Sequence, residues 1–156
     1  TEWLRQYPDI DGKNLGVCGW SPGGGSTLAL AGLDPHFTFA VANQPALCDH
    51  GAAAKGRTPG WPFFSANFPG DDKIMDEVAY VDAANLARRI TCPVIVLVGF
   101  IDGACHPGSV YAAFNNIPGP QKTIVNEPNT DHTWNEAYSQ SIAKMIATLK
   151  QPESRE

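Results

Sequence analysis

The sequence predicts an α/β fold: a parallel, doubly wound sheet of about four strands with helices between them. Three observations carry that prediction. Short apolar runs alternate with segments of helical spacing along most of the chain. The run Val94-Ile95-Val96-Leu97-Val98-Gly99 is apolar without interruption, the pattern of a strand covered on both faces, as parallel strands are. Finally, the apolar run 15–19 leads through Gly19-Trp20-Ser21-Pro22-Gly23 into a helical stretch, so a strand turns into a helix around a serine flanked by glycines.

Taken in order, residues 2–7 read as the end of a helix and Pro8-Asp9-Ile10-Asp11-Gly12 as a turn. The first strand is 15–19, and the helix after it runs over 24–32 and stops at Asp34-Pro35. His36, beside that proline, is a turn residue. The run 37–42 is short, apolar and rich in branched and aromatic residues, which predicts a buried strand. From Pro45 to Gly70 the pattern dissolves into Gly, Pro and aromatics, too apolar for a linker and too broken for regular structure. Residues 46–71 read as a small irregular lid over the serine, or equally as a loop whose aromatics cover the core. Helical spacing returns over 72–90, with Ile74, Val78, Val81, Ala84, Leu86 and Ile90 recurring on one side until Cys92-Pro93. After the strand 94–99 come a helix over 107–116, a strand over 122–126 and a terminal helix over 134–150. On that last helix Tyr138, Ile142, Met145, Ile146 and Leu149 share a face. Residues 1–150 thus form one domain and 151–156 a polar tail.

Composition narrows the function classes. The 156 residues carry a formal charge of −5, with lysines and arginines scattered, which argues against nucleic acid or an anionic membrane surface as partner. No apolar run approaches the ~20 residues of a membrane span. Thr1-Glu2-Trp3-Leu4-Arg5 reads as a chain opening inside a helix, so the compartment stays open. Cys18, Cys48, Cys92 and Cys105 lack C-x-x-C spacing. Cys18 and Cys92, in or beside strands, are expected to pack as small buried hydrophobes, although the even count leaves a bridge open. His50 and His106 stand near Cys48 and Cys105 without further ligands at metal spacing, so neither metal nor cofactor is predicted.

In parallel α/β sheets, ligands sit beyond the carboxyl ends of the strands, so further catalytic groups are expected just after strands. Asp102 follows the strand 94–99, and His132 follows the strand 122–126. A serine hydroxyl is a poor nucleophile at neutral pH. An imidazole must take its proton, and a buried carboxylate must hold that imidazole in the right tautomer. The order Ser21, Asp102, His132 is the chain order of nucleophile-elbow hydrolases on the α/β-hydrolase fold. The plainer readings are a helix cap or turn residue for Asp102, which precedes Pro107, and a solvated loop residue for His132. Asp131 is the rival acid, although a carboxylate adjacent in sequence tends to point away from its neighbour's imidazole.

Four blocks then carry a resemblance: Tyr80-Val81-Asp82-Ala83-Ala84-Asn85-Leu86-Ala87-Arg88-Arg89-Ile90, Cys92-Pro93-Val94, Val98-Gly99-Phe100-Ile101-Asp102, and Pro107-Gly108-Ser109-Val110-Tyr111-Ala112-Ala113-Phe114-Asn115. From about Asp11 to Leu149 the chain resembles the carboxyl-terminal half of acetyl xylan esterases and cephalosporin C deacetylases, which are α/β-hydrolases. The resemblance implies removal of acetyl groups from small acetylated sugars through an acyl-serine, with Ser21 as nucleophile, Asp102 as acid and His132 as base. It also implies an amino-terminal half carrying the first strands of the sheet, and a tendency to form oligomers.

Two departures bear on mechanism. The residue after the nucleophile normally offers its backbone N–H to the oxyanion, and Pro22 has none, where the resemblance leads one to expect glutamine. His106 stands where proline is expected and could alter the polarity of the pocket. Trp20 and Pro22 beside the serine, the lid aromatics Trp61, Phe63 and Phe64, and His106 are the expected pocket residues. The leading reading is a carboxylic ester hydrolase. The alternatives are a catalytically weak or inert module of the same fold, for which Pro22 argues, and a serine peptidase of the prolyl oligopeptidase kind, which shares elbow and triad order.

Overall fold

The computed structural model describes residues 2–10 and 12–149. Its centre is a sheet of four strands, β1 (Gly16–Trp20), β2 (Phe39–Asn43), β3 (Val94–Gly99) and β4 (Lys122–Glu127), in the order β1-β2-β3-β4 and parallel throughout. The register sets Trp20 beside Asn43 and Gly99 beside Glu127. The carboxyl ends of all four strands therefore lie along one rim.

Alternation along the strands supplies two cores. Ala40, Ala42, Val94, Val96 and Val98 face one side, where they meet Leu28 and Ala31 of α1 (Pro22–Leu33), Ala83 and Ala84 of α4 (Ala83–Leu86), and Val110 and Ala113 of α5 (Pro107–Asn116). Phe39, Val41, Ile95 and Leu97 face the other side, against Tyr138 and Met145 of α6 (Glu136–Leu149). Helices on both faces explain why β3 is apolar at every position. Burying one such aliphatic side chain stabilises the fold by roughly 1.5–3 kcal/mol.

The structure departs from the sequence expectations at definite places. The helical end expected over 2–7 is only a 3₁₀ turn at Leu4–Gln6. α1 starts at Pro22 rather than Gly24, because a proline at the first helical position loses no hydrogen bond and already has helical φ. The helix expected over 72–90 breaks at Asp82 into α3 (Asp72–Val81), α4 and a 3₁₀ turn at Ala87–Arg89. Tertiary demand overrides the spacing there: the Asp82 carboxylate accepts from the amides of Asp49, His50 and Ala84, so its backbone leaves the helix to cap the next one. The stretch 46–71 is less irregular than its composition suggests, holding a 3₁₀ turn at Ala52–Lys55 and α2 (Phe64–Asn67).

Cys18 is exposed, against expectation, because β1 is an edge strand of the sheet and Cys18 lies outside the covered core. All four cysteines are free thiols. The expected polar tail, 151–156, lies outside the described residues.

Candidate active site

The strand-to-helix turn at Ser21 is held by close packing on both sides. A Cβ at Gly19 would come within 2.1 Å of the Gly23 carbonyl oxygen, and one at Gly25 within 2.2 Å of the Ala46 carbonyl oxygen. Only glycine lets the strand end, the helix start and the chain after β2 approach this closely. Between them Ser21 takes φ 56° and ψ −120°, a conformation that costs a non-glycine residue energy. Its N–H donates to Asn43 O at 3.0 Å, and its own carbonyl accepts from Ala46 N at 2.9 Å. Both sides of the serine are thus tied to the last residue of β2 and the chain just after it, which offsets that cost and aims the hydroxyl at the rim.

Asp102 lies three residues beyond the end of β3, with its side chain fully buried. Its Oδ1 accepts from Ala104 N and Cys105 N, both at 2.8 Å, and so holds the loop into α5. Its Oδ2 lies 2.9 Å from His132 Nδ1. Asp102 is a turn-capping residue and the partner of the imidazole at once, with one oxygen for each task. His132 comes from the loop between β4 and α6, and its Nε2 lies 2.8 Å from Ser21 Oγ. An ionised carboxylate only accepts, so His132 carries its proton on Nδ1, and Nε2 is left to accept the serine O–H. Residues 30 and 111 positions from His132 along the chain thereby join one hydrogen-bonded relay. Asp131 is outside it.

Cys105 lies beneath the relay, its Sγ 4.0 Å from Ser21 Oγ. Burial, reinforced by the charge of Asp102, pushes its thiol up to about 12, so it stays protonated and offers no competing thiolate. A carboxylate oxygen of Asp102, the Sγ of Cys105 and a ring nitrogen of His132 lie within 4.8 Å of one another, a grouping that the spacing of cysteines and histidines alone did not bring out. Two of those groups are already engaged with each other, which fixes the imidazole.

The expected pocket residues separate. Trp20 stacks on His132, with ring centroids 5.2 Å apart and planes at 25°. Pro22 is the first residue of α1 and contributes no N–H. In an α-helix the first amides have no partner within the helix, so the nearest free donors after the serine are those of Gly23 and Gly24. A Cβ at Gly23 would meet nothing within 4 Å, so the space there is open. His106 caps α5, its Nδ1 accepting from Gly108 N at 3.2 Å. Phe64 packs edge-on against buried His50 and stacks with Phe68; Trp61 O accepts from Leu47 N, and Phe63 caps the start of α2.

Two residues near the relay escaped the sequence reading. Trp134, 57% exposed, stands edge-on to both Trp20 and Tyr138. Gln44 is buried between the serine strand and the histidine loop. A tryptophan two places after His132 was the only available hint for the first. The second had none, since its partners are distant in sequence.

The family model for acetyl xylan esterase (AXE1) matches residues 1–149. The chain is 40% identical over 144 residues to the acetyl esterase Axe7A of Xylanibacter ruminicola, covering 90% of this chain and 33% of that protein. Among solved structures it is similar to acetyl xylan esterase 1 from Thermoanaerobacterium sp. JW/SL YS485, with TM-score 0.83 and 27% identity over 96% of this chain and 50% of that one. The acylaminoacyl peptidase of Pyrococcus horikoshii shares the fold, with TM-score 0.74 at 17% identity, over 99% of this chain and 27% of that one. The chain thus spans a third to a half of the length of the esterases it matches.

Proposed function

Because the chain belongs to the acetyl xylan esterase family, we propose that it carries the catalytic rim of a carboxylic ester hydrolase that removes acetyl groups from sugars by way of an acetyl-serine. The observation that supports this most is the unbroken relay from buried Asp102 through His132 to Ser21 Oγ, set on a strained turn.

In this reading Ser21 Oγ attacks the acetyl carbonyl carbon while His132 Nε2 takes the hydroxyl proton. Asp102 stabilises the imidazolium that results. The intermediate collapses as the C–O bond to the sugar breaks, and His132 returns the proton to the departing sugar oxygen. Water then attacks the acetyl-serine with His132 again as base, releasing acetate and restoring the hydroxyl. This reading assigns the oxyanion to the first-turn amides of Gly23 and Gly24, which a helix leaves without a partner of its own. Trp134 supports a sugar as the leaving group, since an exposed indole held by two aromatic neighbours presents a flat, electron-rich face to the C–H groups of a pyranose ring.

The test is acetate release from acetylated xylo-oligosaccharides, beside hydrolysis of a chromogenic acetyl ester and of an amino-terminally blocked peptide anilide. Saturable acetate release with no anilide cleavage is the expected result. Cleavage of the anilide at a comparable rate would favour a peptidase, and inertness toward all three substrates would favour a module without catalysis.

Pro22 gives a second prediction. Losing one oxyanion donor costs about 2.7–4 kcal/mol, or ~10²–10³ in rate. Pro22→Gln restores an N–H at the residue after the nucleophile and is expected to raise kcat about ten-fold or more, within that ceiling. An unchanged kcat in the folded variant would mean that the hole is already complete without this amide.

A further inference from the structure

We propose that Gln44 is a positioning residue that locks the nucleophile-bearing strand end to the base-bearing loop; this rests on the ester-hydrolase reading. Gln44 is the residue directly after β2, 1% exposed, with φ 41°, a left-handed conformation rare for glutamine. Its backbone N–H donates to Leu97 O of β3 at 3.0 Å, which anchors the residue to the centre of the sheet. From there the side-chain amide reaches both neighbours of the relay. Its Oε1 accepts from Trp20 Nε1 at 3.0 Å, and its Nε2 donates to the carbonyl of Asp131.

Trp20 immediately precedes Ser21, and Asp131 immediately precedes His132. One amide therefore ties the residue before the nucleophile to the residue before the base. Trp20 also lays its indole against the imidazole, so fixing the indole fixes the plane of the base.

The chemistry of the contacts sets the amide's orientation. The indole N–H only donates and the peptide carbonyl only accepts, so a primary amide turned this way satisfies both. A carboxylate in its place would repel the Asp131 carbonyl, and an apolar side chain would leave both partners unpaired. The slot is also tight. A Cβ on Gly99 would come within 2.7 Å of Gln44 Nε2, so β3 ends in a residue that leaves room for the amide.

The experiment uses Gln44→Met, which keeps length and removes both side-chain hydrogen bonds. Two rates are measured on the whole chain: phosphonylation of Ser21 by a fluorophosphonate, and hydrolysis of a chromogenic acetyl ester per titrated site. Both are expected to fall together, about ten- to a hundred-fold, the scale on which small misplacements of catalytic groups act, with KM changed less than about two-fold. A merely structural role would lower the fraction of chain that titrates while leaving the rate per titrated site at the wild-type value, and that result overturns the proposal. Gln44→Glu keeps the acceptor for Trp20 and loses the donor to Asp131. Because its carboxylate also repels the Asp131 carbonyl, its rate per titrated site is expected to fall at least as far as that of Gln44→Met, and a wild-type rate per site in this variant overturns the proposal even if the methionine variant does not fold. A wild-type chain that neither takes the label nor hydrolyses the ester overturns the hydrolase reading and the positioning role with it.

Discussion

Ser21→Ala is expected to reduce hydrolysis of an acetyl ester to the background left by binding and the oxyanion donors. Where a serine nucleophile works as a unit with its base, removing it alone costs on the order of 10⁶ in kcat. The exchange deletes one oxygen whose recorded partners are His132 Nε2 at 2.8 Å and the Cys105 thiol at 4.0 Å. The backbone bonds that hold the turn, Ser21 N–H to Asn43 O and Ala46 N–H to Ser21 O, do not involve the side chain and persist in the variant. The thermal midpoint is therefore expected to stay close to that of wild type while kcat collapses. Hydrolysis within a few-fold of wild type in the folded variant would remove Ser21 from the reaction.

Asp102→Asn is the second large effect, and the two oxygens of Asp102 explain why it is informative. Asparagine keeps an oxygen to accept from Ala104 N and Cys105 N, so the loop into α5 stays in place. The group facing His132 Nδ1 becomes an NH₂, which only donates. The imidazole must then place its proton on Nε2, the nitrogen that faces Ser21 Oγ, and can no longer receive the serine proton. The equivalent exchange in serine proteases lowers kcat about 10⁴-fold with the geometry intact. The same size of loss is expected here, measured as kcat with an acetyl ester. A variant that folds and retains full activity would show that something other than Asp102 sets the imidazole's tautomer.

Much of this arrangement is legible in the sequence because it depends on local rules. The uninterrupted apolarity of Val94–Gly99 identifies a strand covered on both faces, and Pro107 opens a helix because proline fits the first helical position. The glycines around Ser21 mark the turn, since a Cβ at Gly19 or Gly25 would strike backbone. Once the strands are placed, the rule that ligands sit beyond their carboxyl ends selects Asp102 and His132 from among the acids and histidines.

What the sequence hides is set by partners far away along the chain. The break at Asp82 is invisible to helical spacing because its cause is the backbone of Asp49 and His50, more than 30 residues earlier. Periodicity tells which face a strand residue takes but not whether its strand is an edge, so Cys18 reads as buried and is exposed. Gln44 looks like an ordinary polar residue beside Pro45, and only folding brings its amide between Trp20 and Asp131. His106 likewise stood out for its chemistry, and its observed work is to cap α5.

Peptide mapping of the whole chain after brief exposure to a fluorophosphonate tests the central claim most directly. The relay from Asp102 through His132 predicts one adduct, on Ser21, which is absent in Ser21→Ala and forms far more slowly in Asp102→Asn. A folded chain that leaves Ser21 unlabelled, or that labels equally fast when Asp102 is asparagine, would contradict it.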